Sequence, residues 1–321
     1  MKFKTTAIAM AVAGIVAAPV AVQAGADELY ASARVGVMYQ DDDVDDVADF
    51  DLRSMSSRFG MRGETDLGNG LTGFGRYEMS YSESGVGTRH LYTGLKGDFG
   101  SVVLGQTYGT WYNFVVGPLD NPWWHSGVTM IEYRGRTDNN FTYAGGAGAI
   151  NFGVTGYFDS DGEETAPDAL EAALSFALGD STIAVAFSSV DEDGGIPAQG
   201  VGPTGDGSDE DIVGVAWSGI ALGDTSLGVS FMSQDDDTGI VVDWLFGNAY
   251  VHVELLQLDD ADVDPSTFTL GYTQSLGRKT TMYYEAAVID SDGIDTIPGD
   301  DDPTWFQDST RIMAVLKYDI I

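Results

Sequence analysis

Residues 177–195 read ALGDSTIAVAFSSVDEDGG. Gly179 and Asp180 sit in a short turn, where Gly and Asp supply the positive φ angles of a tight hairpin. Behind the turn, Ile183, Val185 and Phe187 alternate with Ala184, Ala186 and Ser188. A period of two is a strand's period, and here it gives one bulky apolar face and one small or polar face. An acidic run, VDEDGG, follows. The same alternation sets Leu227, Val229 and Phe231 against Ser226, Gly228 and Ser230. It also sets Phe268, Leu270 and Tyr272 against Thr267, Thr269, Gly271 and Thr273.

Outward from this stretch the unit repeats. Short turns read DLGNGL, KGDFGS, AGGAGAI, ALGDST, ALGDTS, FGNA and SLGRKT. Between successive hairpins lie the acidic runs QDDDVDDVADFD, FDSDGEET, VDEDGG, GDGSDEDI, SQDDDTG, LDDADVD and IDSDGIDTIPGDDD. The pattern predicts strands near 30–39, 51–65, 71–81, 88–96, 101–107, 133–143, 150–158, 168–178, 182–190, 211–219, 225–233, 239–246, 249–258, 266–275, 279–289 and 309–320. That is about sixteen strands, an even number, with short turns at one end and long loops at the other. This is the signature of an all-β transmembrane antiparallel barrel of the outer-membrane kind. Strands of about 9–11 residues cross a bilayer at a tilt, and closure removes edges that hydrocarbon could not satisfy. A secreted sandwich or β-helix also alternates, but it does not demand strict exchange of long loops with short turns.

Composition narrows the class further. The chain has 321 residues, 15 basic and 50 acidic, for a net charge of −35. Residues 1–24 form a secretory leader: Lys2 and Lys4 open it, an Ala-rich apolar run follows, and Val22 and Ala24 suit a cleavage site. The barrel domain is then 25–321. Without Lys2 and Lys4, 13 basic residues face 50 acidic ones, or −37. Such a surface excludes nucleic acid as a partner, since phosphate contact needs basic side chains. There is no cysteine, so disulfides, thiolate chemistry and cysteine zinc sites are excluded. The 42 glycines are about twice the usual share.

Arginines stand inside the predicted strands of this acidic chain. Arg58, Arg62 and Arg76 lie in SSRFGMRGETDLGNGLTGFGRYEMSYSE, residues 56–83. An arginine facing lipid near the midplane costs about 2–4 kcal/mol, so these side chains point to a hydrated lumen. Pairing with Glu64 and Glu78 is the alternative use for them. SRFGMRGETDLGNGL, RHLYTGLKGDFGSVVLG and YRGRTDNNFTY resemble segments of the Gram-negative general diffusion porins, strongly in the first half of the chain and by rhythm alone in the second. The resemblance implies a homotrimeric barrel of sixteen strands in the outer membrane, among lipopolysaccharide and outer-membrane lipid. It implies no cofactor, and a third loop folded into the pore. It also implies a basic ladder on the wall facing acids on that loop.

Carried onto this chain, the ladder takes Arg58 and Arg89, with Arg76 and Glu78 on a lumen parity and Arg134 and Arg136 opening the sixth strand. Leu91 and Leu95 share the parity of Arg89. The third loop is QTYGTWYNFVVGPLDNPWWHSGVTMIE, residues 106–132. Its Trp111, Tyr112, Phe114, Trp123 and Trp124 suit packing on an inner wall. Asp120 is the counter-charge to the arginines, with Asn113 beside it. The chain departs from the family pattern at Gln106, where an arginine is usual, and at Ile321, where phenylalanine is usual.

The three histidines, His90, His125 and His252, form no hydrolase or HExxH pattern. DSDGEE and DSDGID lack the closing Glu of a calcium loop. They read as solvated loop tips, or as weak ion sites bridging lipopolysaccharide phosphates. The expected function is a non-enzymatic channel for passive diffusion of small hydrophilic solutes and ions, cation-preferring through its acidic mouth. A substrate-selective channel, with Trp123 and Trp124 as a stacking surface for sugars, is the alternative, and a secreted adhesin or structural β-protein stands behind it.

Overall fold

The computed structural model describes residues 28–42, 47–82, 85–123, 135–158, 167–190, 211–234, 237–257, 264–290 and 308–321. The expected leader, Trp124, His125 and Arg134 lie outside them. Seventeen strand segments follow in order: β1 (Glu28–Asp42), β2 (Val47–Ser54), β3 (Ser57–Gly68), β4 (Leu71–Ser82), β5 (Gly85–Gly97), β6 (Gly100–Gln106), β7 (Asn140–Ala147), β8 (Ile150–Tyr157), β9 (Ala169–Leu178), β10 (Ser181–Val190), β11 (Ile212–Leu222), β12 (Thr225–Gln234), β13 (Asp237–Phe246), β14 (Ala249–Gln257), β15 (Ser266–Ser275), β16 (Thr280–Asp290) and β17 (Ser309–Asp319). Neighbours in sequence pair antiparallel, and β17 pairs back onto β1, closing the sheet.

The seventeen segments make sixteen staves. β2 and β3 both lie against β1, with Val47–Ser54 opposite 35–42 and Arg58–Arg62 opposite 28–32. They are one strand broken at Met55 and Ser56, where Ser56 adopts φ 57° and the Met55 N–H bonds the Arg34 carbonyl at 2.9 Å. The break shifts the side-chain phase by one residue. Before it, Phe50 and Leu52 are exposed on the outer face; after it, Phe59 and Met61 are. Arg58 thereby joins the inner face.

The barrel is inside-out relative to a soluble protein. On β10 the outward Val185 and Phe187 are exposed, while the inward Ala184, Ala186 and Ser188 are buried. The same holds for outward Phe268, Leu270 and Tyr272 against Thr267 and Thr269. Near the short turns, Phe176, Trp217, Trp244, Tyr272, Tyr284 and Tyr318 face outward and exposed, as in the aromatic girdle of a barrel at the membrane interface. Asn69 and Gly70, at φ 53° and 75°, form the β3–β4 hairpin turn, the Asn-Gly pair that a type I′ turn requires.

The structure corrects the sixth predicted strand. β7 starts at Asn140, not near 133; residues 135–139 form a turn with Asn139 at φ 52°. The polar run Arg136–Asn140 favours a turn because Asn and Asp side chains bond nearby backbone. Here Asn140 Nδ2 donates to the carbonyls of Thr107 and Thr137 at 2.9 and 3.0 Å. Arg136 therefore sits in the turn before the strand.

The largest apolar cluster lies inside the barrel. Trp111, Val115, Val116 and Leu119, from the segment after β6, pack on Ala186, Ala216, Met232, Val241 and Leu256 of the inner wall. Bare backbone makes room for them. A Cβ on Gly214 would lie 2.6 Å from Trp111, and one on Gly228 would lie 3.2 Å from Leu119.

The two faces should respond oppositely to charge. Val215, 40% exposed on the outer face of β11, lies within the apolar band. Val215→Arg is expected to lower barrel stability by about 2–4 kcal/mol, read from urea unfolding in lipid vesicles. A change within about 0.5 kcal/mol, the range of ordinary surface substitutions, would contradict a lipid-facing position.

Candidate functional site

Four neighbouring strands bring the basic residues together on the inner wall. Register places Arg58 of β3 opposite Ser32 of β1 and Ser80 of β4, and Glu78 of β4 opposite Gly60 of β3 and His90 of β5. Glu78 is the hub, with 1% of its side chain exposed. It accepts from Arg76 Nη2 at 2.6 Å, Arg89 Nε at 2.9 Å and the Tyr30 hydroxyl at 2.8 Å, and Arg76 Nε also donates to Tyr30 at 2.9 Å. Charged hydrogen bonds of this kind fix both arginines in place. Arg58 lies within electrostatic range of Arg89, Arg34, Glu78 and Arg136. Its Nε is buried without a hydrogen-bond partner among the described residues.

Arg89 reaches this cluster through a bulge. Glu78 pairs with His90 and Met79 pairs with Thr88, so Arg89 is the extra residue of β5. Leu91 points outward and is exposed, while His90 points inward and is buried. Strict alternation would send Arg89 outward with Leu91. The bulge re-aims it onto Glu78, a common use of such features. Arg76, Glu78, Arg58 and Arg89 are thus brought together on one part of the inner wall. Arg62 lies nearer the turn, paired with Glu28 at 2.6 Å.

The segment from Thr107 to Trp123 runs along the opposite part of the inner wall. The Thr110 N–H bonds the Thr155 hydroxyl at 3.0 Å and the Trp111 N–H bonds Glu171 at 2.8 Å. Asn121 Nδ2 donates to Asp243 at 2.6 Å, and the Trp123 N–H donates to Glu285. The contacts thus pass in order over β8, β9, β13 and β16. A short helical stretch, Tyr112–Val116, occupies the middle. Trp111 is buried in the wall cluster. Trp123 stacks on Tyr283 at 4.8 Å and 21°, with the Arg34 guanidinium 5.7 Å from its ring centre.

The two loop residues nominated as pore-facing have defined neighbours. Asp120 accepts from the Tyr112 hydroxyl at 2.6 Å. Burial, and then the Asp120 carboxylate, push the Tyr112 phenol well above its ordinary value, so it remains the donor. Asn113 Nδ2 donates to the Tyr108 carbonyl at 3.2 Å. Tyr108 stacks on Tyr112 at 3.6 Å and 7°. The Arg136 guanidinium lies 4.7 Å from the centre of the Tyr108 ring and donates to its hydroxyl. A stacked tyrosine pair thus stands between Asp120 and Arg136.

Several lumen residues were not singled out from the sequence. Arg34 joins the basic wall from β1. Glu171, Asp243, Glu254 and Glu285 are each no more than 2% exposed, and three of them hold the loop segment. His252 is fully buried, its ring nitrogens 3.0 Å from Asp243 and 2.8 Å from Glu254. Their signal lies in parity: each is a charged or polar residue on the inward face of its strand, as His252 and Glu254 are in AYVHVELLQ, residues 249–257, where Val251, Val253 and Leu255 take the other face. Among the described residues no group of acids and histidines is arranged to hold a metal.

A model of the Gram-negative porin family matches residues 5–294. The chain belongs to the Gram-negative porins. A curated outer membrane porin PhoE of Enterobacter cloacae is 34% identical over 122 residues, which is 34% of this chain and 34% of that protein, so the match spans about a third of that relative. Among solved structures, an anion-selective porin from Comamonas acidovorans superposes with a TM-score of 0.70 at 16% identity, over 92% of this chain and 100% of that one. A trimer form of OmpT from Vibrio cholerae superposes with a TM-score of 0.66 at 16% identity and the same coverage. At those identities the structures speak for the fold alone. Family and fold together place this porin in the outer membrane as a β-barrel of sixteen strands.

Glu78 is where this porin's wall can be tested. Glu78→Gln keeps the shape and removes the charge that Arg76 and Arg89 share. Hydrogen bonds to charged groups are each worth about 1.5–3 kcal/mol. With Arg76 26% and Arg89 15% exposed to the lumen, solvation offsets part of the loss, and a total destabilisation of about 2 kcal/mol is expected. The zero-current potential in a salt gradient should move toward anions. An unchanged potential would mean that these arginines do not face the permeation path.

Proposed function

We propose that this porin is a water-filled channel for passive diffusion of small hydrophilic solutes and ions. The observation that carries the reading is the division of charge on the inner wall. The acids of β9, β13, β14 and β16 are sealed beneath the loop segment, while the arginines of β3–β5 keep partial contact with solvent. Arg58, Arg76, Arg89 and Arg136, with Glu78, form one side of the constriction. Asp120 and Asn113, held by Tyr112 and Tyr108, form the other. Residues 1–24 act as the export leader, and 25–321 form the barrel. The sugar-selective reading gains no support from Trp123, whose ring is engaged by Tyr283 and Arg34.

The ion preference follows from position. Asp41, Asp49, Asp211, Asp237, Asp264, Asp290 and Asp308 stand at the long-loop ends of their strands, and the whole chain carries −35. A mouth of one sign concentrates counter-ions. The arginines oppose it at shorter range, and Glu78 offsets two of them. We infer cation preference at low salt. The Debye length is about 30 Å at 0.01 M and about 3 Å at 1 M, so the preference should fade as salt rises. Reversal potentials of single channels across these salts test it; anion preference at the low-salt end would show that the wall outweighs the mouth.

The functional unit is proposed to be a homotrimer, set among lipopolysaccharide and outer-membrane lipid. A shallow hollow on the outer face of β3–β5, floored by Gly63, Gly73 and Gly75 between Met61, Tyr77 and Leu91, supports close approach of a second copy. OmpT of Vibrio cholerae, which shares the fold, has been solved in a trimer form. In mild detergent the protein should run as a heat-sensitive trimer. A monodisperse monomer by light scattering would count against it.

A further inference from the structure

The last residue of β6 does more than end a strand. The β5–β6 ladder stops at the pair Leu91–Gln106. Three residues earlier on β5, the carbonyl of Thr88 lies beyond that ladder, next to the bulged Arg89. The Gln106 side chain reaches it: Nε2 donates to the Thr88 carbonyl at 3.2 Å and to the Arg136 carbonyl at 3.1 Å. A primary amide carries two N–H donors on one nitrogen, and here they face two backbone acceptors from segments that no shared ladder joins. Each acceptor is in, or adjacent to, a residue whose guanidinium belongs to the basic wall.

Side chain and backbone work together at this corner. Arg89 is fixed at its guanidinium by Glu78 and, one residue earlier, at its backbone by Gln106. Arg136 is fixed at its guanidinium by Tyr108 and at its backbone by Gln106. Asn140 repeats the device one step along, tying Thr107 to Thr137. We propose that Gln106 is a positioning residue for selectivity: its amide holds the Arg89 bulge and the Arg136 turn together, and so fixes where both guanidinium groups stand at the lumen wall. The inference rests on the reading of those arginines as part of the permeation path.

The test is Gln106→Met, which keeps length and approximate volume and removes both donors. The full-length porin is reconstituted in planar bilayers, and the reversal potential is read in a potassium chloride gradient. Gln106→Met should shift the potential toward cations, by less than Arg89→Gln does, with trimer assembly retained. In an Arg89→Gln, Arg136→Gln background the same substitution should add no shift, because a coupled pair loses its interaction only once. A wild-type potential in Gln106→Met, or a full shift in that background, overturns the inference. If Gln106→Met fails to assemble, Gln106→Asn is read the same way, since its amide is one methylene too short to span both carbonyls. A flat response to Arg89→Gln itself would remove the wall reading, and this inference with it. A shift there without one in Gln106→Met would remove only the role of Gln106.

Discussion

A peptide group in hydrocarbon has no water to bond, and each unpaired one costs several kcal/mol. That constraint shapes the whole molecule. It forbids an open edge, so β17 must return to β1. It fixes which side chains face lipid, because pairing locks the pleat and the pleat alternates every residue. The exposed Val185, Phe268 and Leu270 and the buried Ser188, Thr267 and Thr269 are two sides of one requirement. What a soluble protein would bury, this barrel turns outward, and the polar residues are left to line a space of their own.

The core of the barrel is consequently built from a loop. Trp111, Val115 and Leu119 pack onto a wall made bare by Gly214 and Gly228, so apolar burial holds this segment where no regular element would. The polar anchors are wall carboxylates, with Glu171 and Glu285 taking backbone N–H groups and Asp243 taking Asn121. Acids used in this way are desolvated and bonded to the loop segment rather than offered to solutes in the open lumen. Arg76 and Arg89 share the one carboxylate of Glu78 and, with Arg58 beside them, keep their positive character. Charge asymmetry across the lumen thus arises from packing as much as from composition.

Most of the barrel was legible because its signal is local. Alternation, Asn-Gly and Gly-Asp turns and acidic loop runs place sixteen staves, all but the start of the sixth to within a few residues. The misses occur where regularity is interrupted. Arg89 could not be assigned by parity because a bulge changes the phase between Val86 and Leu91. Apolar and polar spacing alone puts Arg136 in a strand, whereas residues 135–139 turn there, with Asn139 at positive φ. Glu171, Asp243 and Glu285 carry no local signal of their role because their partners belong to a loop more than 50 residues away, a distance that no periodicity spans.

The two interruptions, at Met55–Ser56 and at Arg89, lie on the staves either side of β4, and each moves the pleat by one residue. They make this quarter of the wall sensitive to length rather than to identity. A substitution at Phe59 or Leu91 trades one lipid contact for another. Deleting a single residue from β3 would turn a run of the strand over, carrying Arg58 toward the bilayer and Phe59 toward the water. Evolution of this wall is therefore free to change letters and held against changing their number. The long acidic connections between hairpins are under no such rule, and there the chain can lengthen or shorten without touching the pleat.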